Sequence, residues 1–311
     1  MTQYNASVQD PAAPRSGLQV VRIVGAVAVA ALAWTTSTSA IAQRIYPSAD
    51  AAAQALHDAA ARHDAAALRT VLGDHSKHFV ANNETGWSEV DGFIAAWAKS
   101  HKLVPLGDDG AMLAVGDGVW TLPIPLVKRG AGWQFDTVAG AQIMRTRRIG
   151  RNELAAMQAA LAYFDAQKEY AQRKQDGGGS LAYARKIVST PGRHDGLYWA
   201  DTTGRGESPL GPFYGGRKPG EGYYGYHFKI LEAQGRDAPG GAYDYVFGGL
   251  MRSGFALIAW PVRYGDSGVA SFMISHEGVL YEADLGPRTD ATARAMLRFN
   301  PDATWSKVSA P

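Results

Sequence analysis

The sequence predicts an α+β protein of two domains behind an export signal, and three observations carry that reading. Apolar residues recur at helical spacing in residues 49–72 and 152–174. Short runs rich in β-branched and aromatic residues, separated by Gly, Asp and Ser turns, fill residues 111–137 and 223–284. Glycine supplies 36 of 311 residues against a usual share of ~7 %, and 23 of the 36 follow residue 150 among many aromatics, so sheets and tight turns concentrate in the second half.

The first 22 residues are polar, with Arg15 and Arg22 as their basic side chains. Residues 23–34 form a 12-residue apolar run, and Ala40-Ile41-Ala42 follows a stretch of small residues. A basic start, a short apolar core and an A-x-A site make a signal peptide. The expectation is cleavage after Ala42, a mature chain of 269 residues that is periplasmic or secreted, and no membrane span in it. A spanning helix needs ~20 apolar residues, which weighs against an uncleaved anchor. With no cysteine in the chain, neither disulfides, thiolate metal ligands nor a lipidated cysteine can contribute.

Charge excludes another class. Two of the 31 basic and one of the 29 acidic residues precede position 43, so the remainder carries a net charge of +1. A nucleic-acid binder shows a basic domain or patch. The one basic cluster, Arg145, Arg147, Arg148 and Arg151, falls at the expected domain junction and reads as a solvated linker face.

The first domain is expected over residues 43–149: one Ala-rich helix over 49–72 stopped by Gly73, a second over 87–98, and a meander of strands at 111–115, 118–126 and 132–137. This order of elements is similar to the nuclear-transport-factor-like fold. The second domain is expected over 150–311. Asn152 is placed to cap a helix reaching residue 174. A stop at Asp176-Gly177-Gly178-Gly179, a short helix at 181–187 and a long Gly/Pro-rich loop over 193–222 follow. Strands at 223–231, 242–248, 254–261, 268–275 and 279–284 and a helix at 290–299 complete it.

One series of residues is specific to a family. It opens with Tyr163-Phe164-Asp165-Ala166-Gln167-Lys168-Glu169-Tyr170-Ala171, Asp195-Gly196-Leu197-Tyr198-Trp199 and Ser208-Pro209-Leu210-Gly211-Pro212. It continues through Gly222-Tyr223-Tyr224-Gly225-Tyr226, Ala238-Pro239-Gly240-Gly241-Ala242 and Gly254-Phe255-Ala256-Leu257-Ile258-Ala259-Trp260-Pro261 to Asp284-Leu285-Gly286. Together these resemble DUF2950, a family of exported bacterial proteins to which the resemblance attaches no activity. The second half is also similar, at the level of fold, to the globular part of type IV pilins and pseudopilins. It lacks their apolar N-terminal helix, and fold does not fix function.

Candidate chemistry is sparse. Gly265-Asp266-Ser267-Gly268 resembles the segment around a serine-protease nucleophile, but no histidine motif accompanies it and it sits between two expected strands, where it reads as a turn. His75 and His78, with His57 and His63 nearby, lack the closing ligands of a zinc site. Asp176-Gly177-Gly178-Gly179-Ser180 lacks the Lys of a phosphate loop. Glu282 and Asp284 share one strand face and read as solvated. No cofactor is indicated and no metal is expected.

Two function classes remain. The first is a non-catalytic cell-envelope module that binds or assembles, with an envelope protein, polysaccharide or peptide as partner. Its candidate surface is the aromatic set Tyr198, Trp199, Tyr223, Tyr224 and Tyr226, with Phe213 and Tyr214, since Tyr and Trp offer apolar area with a polar tip. The alternative is a hydrolase acting on wall or extracellular polymer, for which His194, Asp195 and His227, with Glu207, would have to converge. A carboxylate within hydrogen-bond reach of His194 or His227 would separate the two classes.

Overall fold

Serine and aspartate caps set where the helices begin. Ser48 Oγ accepts from the Ala51 N–H at 3.1 Å and opens α1, Ala49–Ala61. Asp64 accepts from Ala66 and Ala67 and opens α2, Ala65–Leu72, which Gly73 ends at φ +75°. The single helix expected over 49–72 is therefore two. His63 at φ +50° turns the chain between them, and the Asp64 cap restarts it. The computed structural model describes residues 43–78, 84–118, 120–173, 182–200, 207–211 and 222–308. The export segment, the expected stop at 176–180, and Phe213 and Tyr214 lie outside the described residues.

Helix α3, Glu84–Lys99, leads into an antiparallel sheet whose order is β1 (His101–Pro105), β2 (Gly110–Val115), β3 (Leu126–Arg129) and β4 (Gly132–Phe135). Among its described residues, the strand expected over 118–126 does not form before Leu126, where β3 begins. Only Thr121 bridges Ala114, because Pro123 and Pro125 offer no N–H to a ladder. Leu56, Leu68, Leu72, Trp97, Leu113, Leu126 and Phe135 make the hydrophobic cluster of this part.

Helix α4 is longer than its apolar pattern suggests. It runs Thr137–Gln172, 36 residues, from a cap at Asp136 whose Oδ1 accepts from Ala139 N–H at 2.9 Å. The start expected at Asn152 and the boundary expected at 149/150 both fall inside it. Asn152 does not cap: its amide nitrogen donates to Ser267 O at 2.8 Å. The four arginines read as a linker sit on this helix. Arg147 donates to the carbonyl and hydroxyl of Thr121, and Arg148 pairs with Asp266. Polar residues of this kind hide a helix from an apolar-periodicity reading, while the capping aspartate still announces it.

The second half of α4 buries Ala156, Ala160, Tyr163 and Tyr170 against a five-stranded antiparallel sheet of order β13-β12-β11-β10-β5. Its strands are β5 (Tyr226–Leu231), β10 (Ala256–Pro261), β11 (Ala270–Ser275), β12 (Leu280–Asp284) and β13 (Ser306–Lys307). Two-stranded ribbons precede β10: β6 (Ala233–Gln234) with β7 (Tyr243–Asp244), and β8 (Val246–Phe247) with β9 (Leu250–Met251). The single strand expected over 242–248 is thus split around the buried Tyr245. All six residues of β10 are buried, as a continuous apolar run in a central strand should be. Helix α5, Thr289–Ala295, packs on β10 and is shorter than expected.

The short helix expected over 181–187 is absent from its described residues, which bend at 185 and 187 and bridge Met251 through Tyr183. Gln167 of α4 clasps Ala184, donating to its carbonyl and accepting from its N–H, both at 2.8 Å, and Tyr183 N–H bonds Met251 O at 2.7 Å. Tertiary hydrogen bonds have overridden local propensity here. The α+β expectation stands: helices with a small antiparallel sheet first, a long helix with an antiparallel meander after.

Candidate functional site

The expected aromatic set divides by burial. Tyr226 is fully buried, and its hydroxyl donates to Ala270 O at 2.8 Å. Burial pushes its pKa up, with Glu153 adding to the shift. Gly268 makes this bond reachable, because a Cβ there would strike the Tyr226 ring at 2.6–2.7 Å. Trp199 is 9 % exposed; the His194 ring stacks on it at 4.4 Å and the Arg173 guanidinium lies 5.5 Å from its centroid. Tyr198 is half-buried against the core, and its backbone bonds both Ile187 and Ser189. Trp199 and Tyr226 belong to the hydrophobic core and Tyr198 packs against it.

Tyr224 is different. It is 51 % exposed and holds φ +45°, followed by Gly225 at +74°. Tyr223 and Tyr226 exchange backbone hydrogen bonds at 2.7 and 3.0 Å, which closes a two-residue turn of the primed kind, with positive φ at both central residues. A Cβ at position 225 would lie 2.8 Å from the Asn152 amide and the Ser267 side chain, so glycine is required there. The turn thereby lifts the Tyr224 ring off the sheet. The Tyr223 ring meets it edge-on at 4.6 Å and 86°.

Beneath this turn a groove of about 510 Å³ runs along α4. Its helical wall is Arg151, Leu154, Ala155, Gln158, Ala159 and Ala162, positions that share one face at spacings of 3 and 4. Pro209, Leu210 and Gly211 form the other wall with Tyr223 and Tyr224. The small alanines leave the space, and Gln158 and Arg151 supply hydrogen-bond donors. Sequence reasoning missed this helical wall, since Leu154 fits the core stripe by spacing yet is 40 % exposed. The alternation of Ala with Gln on that face was the available signal.

The candidate catalytic residues keep separate partners. Asp195 accepts from Lys186 Nζ at 2.7 Å and from the N–H and hydroxyl of Thr190 at 2.7 and 2.9 Å. Burial raises its pKa, but these bonds outweigh burial and lower it to about 2. His227 lies on β5 beside Trp260, 5.4 Å between rings. Burial lowers its pKa and Arg294 lowers it further, against the pull of Asp290. Neither the His194 ring nor the His227 ring hydrogen-bonds a carboxylate among the described residues. The Glu207 carbonyl accepts from Arg173 at 2.6 Å.

Gly265-Asp266-Ser267-Gly268 is a turn. Tyr264 bridges Gly268, Asp266 pairs with Arg263 and Arg148, and Ser267 Oγ bonds only the Arg263 backbone among the described residues. Asp284 accepts from Tyr264 Oη and from Gly286 N–H. No group of three or more His, Cys, Asp or Glu able to hold a metal occurs among the described residues.

No curated protein and no solved structure matches the chain. The family model "Protein of unknown function (DUF2950)" matches it over residues 43–308. The match extends from the Gln43 side chain, which ties Val71 to Phe135, through β13, so the chain belongs to the DUF2950 family.

Proposed function

We propose that the chain is an exported, non-catalytic binding module of the cell envelope, and that the groove between α4 and the Tyr223–Tyr224 turn receives a polysaccharide. The carrying observation is the half-exposed Tyr224 ring, held over an alanine-floored slot by a left-handed backbone that costs conformational energy. An exposed aromatic face stacks on the apolar face of a sugar ring, and the donors of Gln158 and Arg151 suit its hydroxyls. No carboxylate lines the groove among the described residues, which favours binding over acid–base chemistry there. The commitment of Asp195 to Lys186 and Thr190, and of the His194 ring to Trp199, supports the same reading.

The test is co-sedimentation of the full chain with insoluble envelope polysaccharide, beside the variant Tyr224→Ala. Retention of the parent and loss of the variant is the expected result. Equal retention of both would sink the groove as the surface, and retention of neither would sink the polysaccharide. A peptide ligand would show itself as binding to envelope peptides that polysaccharide does not displace.

A further inference from the structure

A second cavity, of about 520 Å³, lies in the other half of the molecule. It falls within the about 300–1,000 Å³ typical of small-molecule sites. Leu56, Leu68, Leu72, Val90 and Ile124 line its depth and are all buried. Trp120, 49 % exposed, stands at its mouth. A cavity walled by aliphatic side chains gives water too few hydrogen bonds to hold it, and leaves its lining short of dispersion partners, so an apolar chain would gain by entering.

The charged side chains of its lining are Arg147, Arg151 and Glu89. Arg147 donates to the Thr121 carbonyl at 2.6 Å and to its hydroxyl at 2.7 Å, which fixes the guanidinium while leaving three of its five donors. Arg151 and Glu89 make no hydrogen bond or ion pair with any described residue. Two guanidinium groups against one carboxylate give the mouth a net positive charge, in a fork geometry suited to a carboxylate.

We propose that this cavity binds a single-chain amphiphile with an anionic head, the alkyl chain among the leucines and the head at Arg147 and Arg151. The proposal stands apart from the α4 groove, which shares only Arg151 with this cavity.

The test is titration calorimetry of the full chain with dodecanoate and, separately, with dodecyltrimethylammonium. Dodecanoate should bind once per chain, and more tightly than the cation. Ala60→Leu, which fills the cavity from a buried lining position, should abolish the heat. Arg151→Glu, at an exposed position, should weaken dodecanoate by about 5-fold or more, the worth of roughly one exposed charge pair. Tyr224→Ala should leave dodecanoate unchanged, so this proposal and the polysaccharide groove fail separately. Absence of saturable dodecanoate binding, or equal affinity for the cation, overturns the proposal. So does unchanged affinity in a folded Ala60→Leu variant. If Ala60→Leu does not fold, Arg151→Glu decides, and unchanged affinity there overturns it.

Discussion

The side-chain amide of Gln167 pairs with the backbone of Ala184 as a neighbouring strand would, one bond in each direction at 2.8 Å. Gln167 is fully buried, and its nitrogen also donates to the Tyr163 hydroxyl at 2.9 Å. Gln167→Leu leaves a buried N–H and a buried carbonyl without partners. Each orphaned group costs about 1–3 kcal/mol, so the variant should lose roughly 2–6 kcal/mol of unfolding free energy. Urea denaturation checks this, with Gln158→Leu on the exposed face of α4 as a control expected within about 0.5 kcal/mol of the parent.

Asp195 makes stability depend on acid. Its pKa falls from 3.8 to about 2 because the bonds from Lys186 and Thr190 outweigh burial. A carboxylate with a depressed folded pKa contributes stability that is complete above the unfolded value and lost as pH falls through the folded one. Between pH 3.8 and about 2, Asp195→Asn should therefore flatten the decline in melting temperature relative to the parent. An unchanged slope across that window would show that the Lys186–Asp195 pair contributes nothing there.

The midpoint of His227 should lie below the ordinary ~6.5 in an imidazole NMR titration. Its causes, burial and then Arg294, both disfavour the charged ring. Stability from the neutral ring is complete above the unfolded pKa and declines as pH falls below it. Arg294→Gln removes a repelling cation and releases Asp290 from its ion pair, so both effects should move the midpoint up. A downward movement would contradict the assigned neighbours.

The turn beneath Tyr224 should respond oppositely to two small changes. Gly225→Ala forces a Cβ into a left-handed position and against Asn152 and Ser267, and should cost more than about 1 kcal/mol. Tyr224→Gly relieves a strained φ and should leave thermal stability level or higher, while removing the exposed ring. A marked fall in melting temperature for Tyr224→Gly would mean that the ring is part of the core.

What the sequence made legible follows from where information is local. Turn and cap chemistry was readable: Gly73 ends α2, the Asp-Ser-Gly at 266–268 turns the chain, and β10 announces itself as six apolar residues. The extent of α4 was not, because its first fifteen residues trade apolar periodicity for arginines whose partners, Thr121 and Asp266, are remote in sequence. Residues 182–187 look helical until Gln167 and Met251 claim the backbone groups of Ala184 and Tyr183. At the groove, the residue type of Tyr226 and Tyr224 is the same. Only the two-residue turn, with its required Gly225, decides that one is an anchor and the other a surface.

The 36 residues of α4 form an unbroken rod about 54 Å long at 1.5 Å per residue. A rod of this kind has a phase as well as a length. Arg147, which reaches Thr121, and Tyr163, which bonds Ala256, are sixteen residues apart, and each points where it must only because no residue is added or lost between them. One inserted residue would turn everything downstream by about 100° about the axis, so that the Arg147 bond to Thr121 and the Tyr163 bond to Ala256 could not both be kept. The stretch that composition marks as a tolerant joint therefore behaves as a keyed shaft, open to substitution on its solvent side and closed to any change in count.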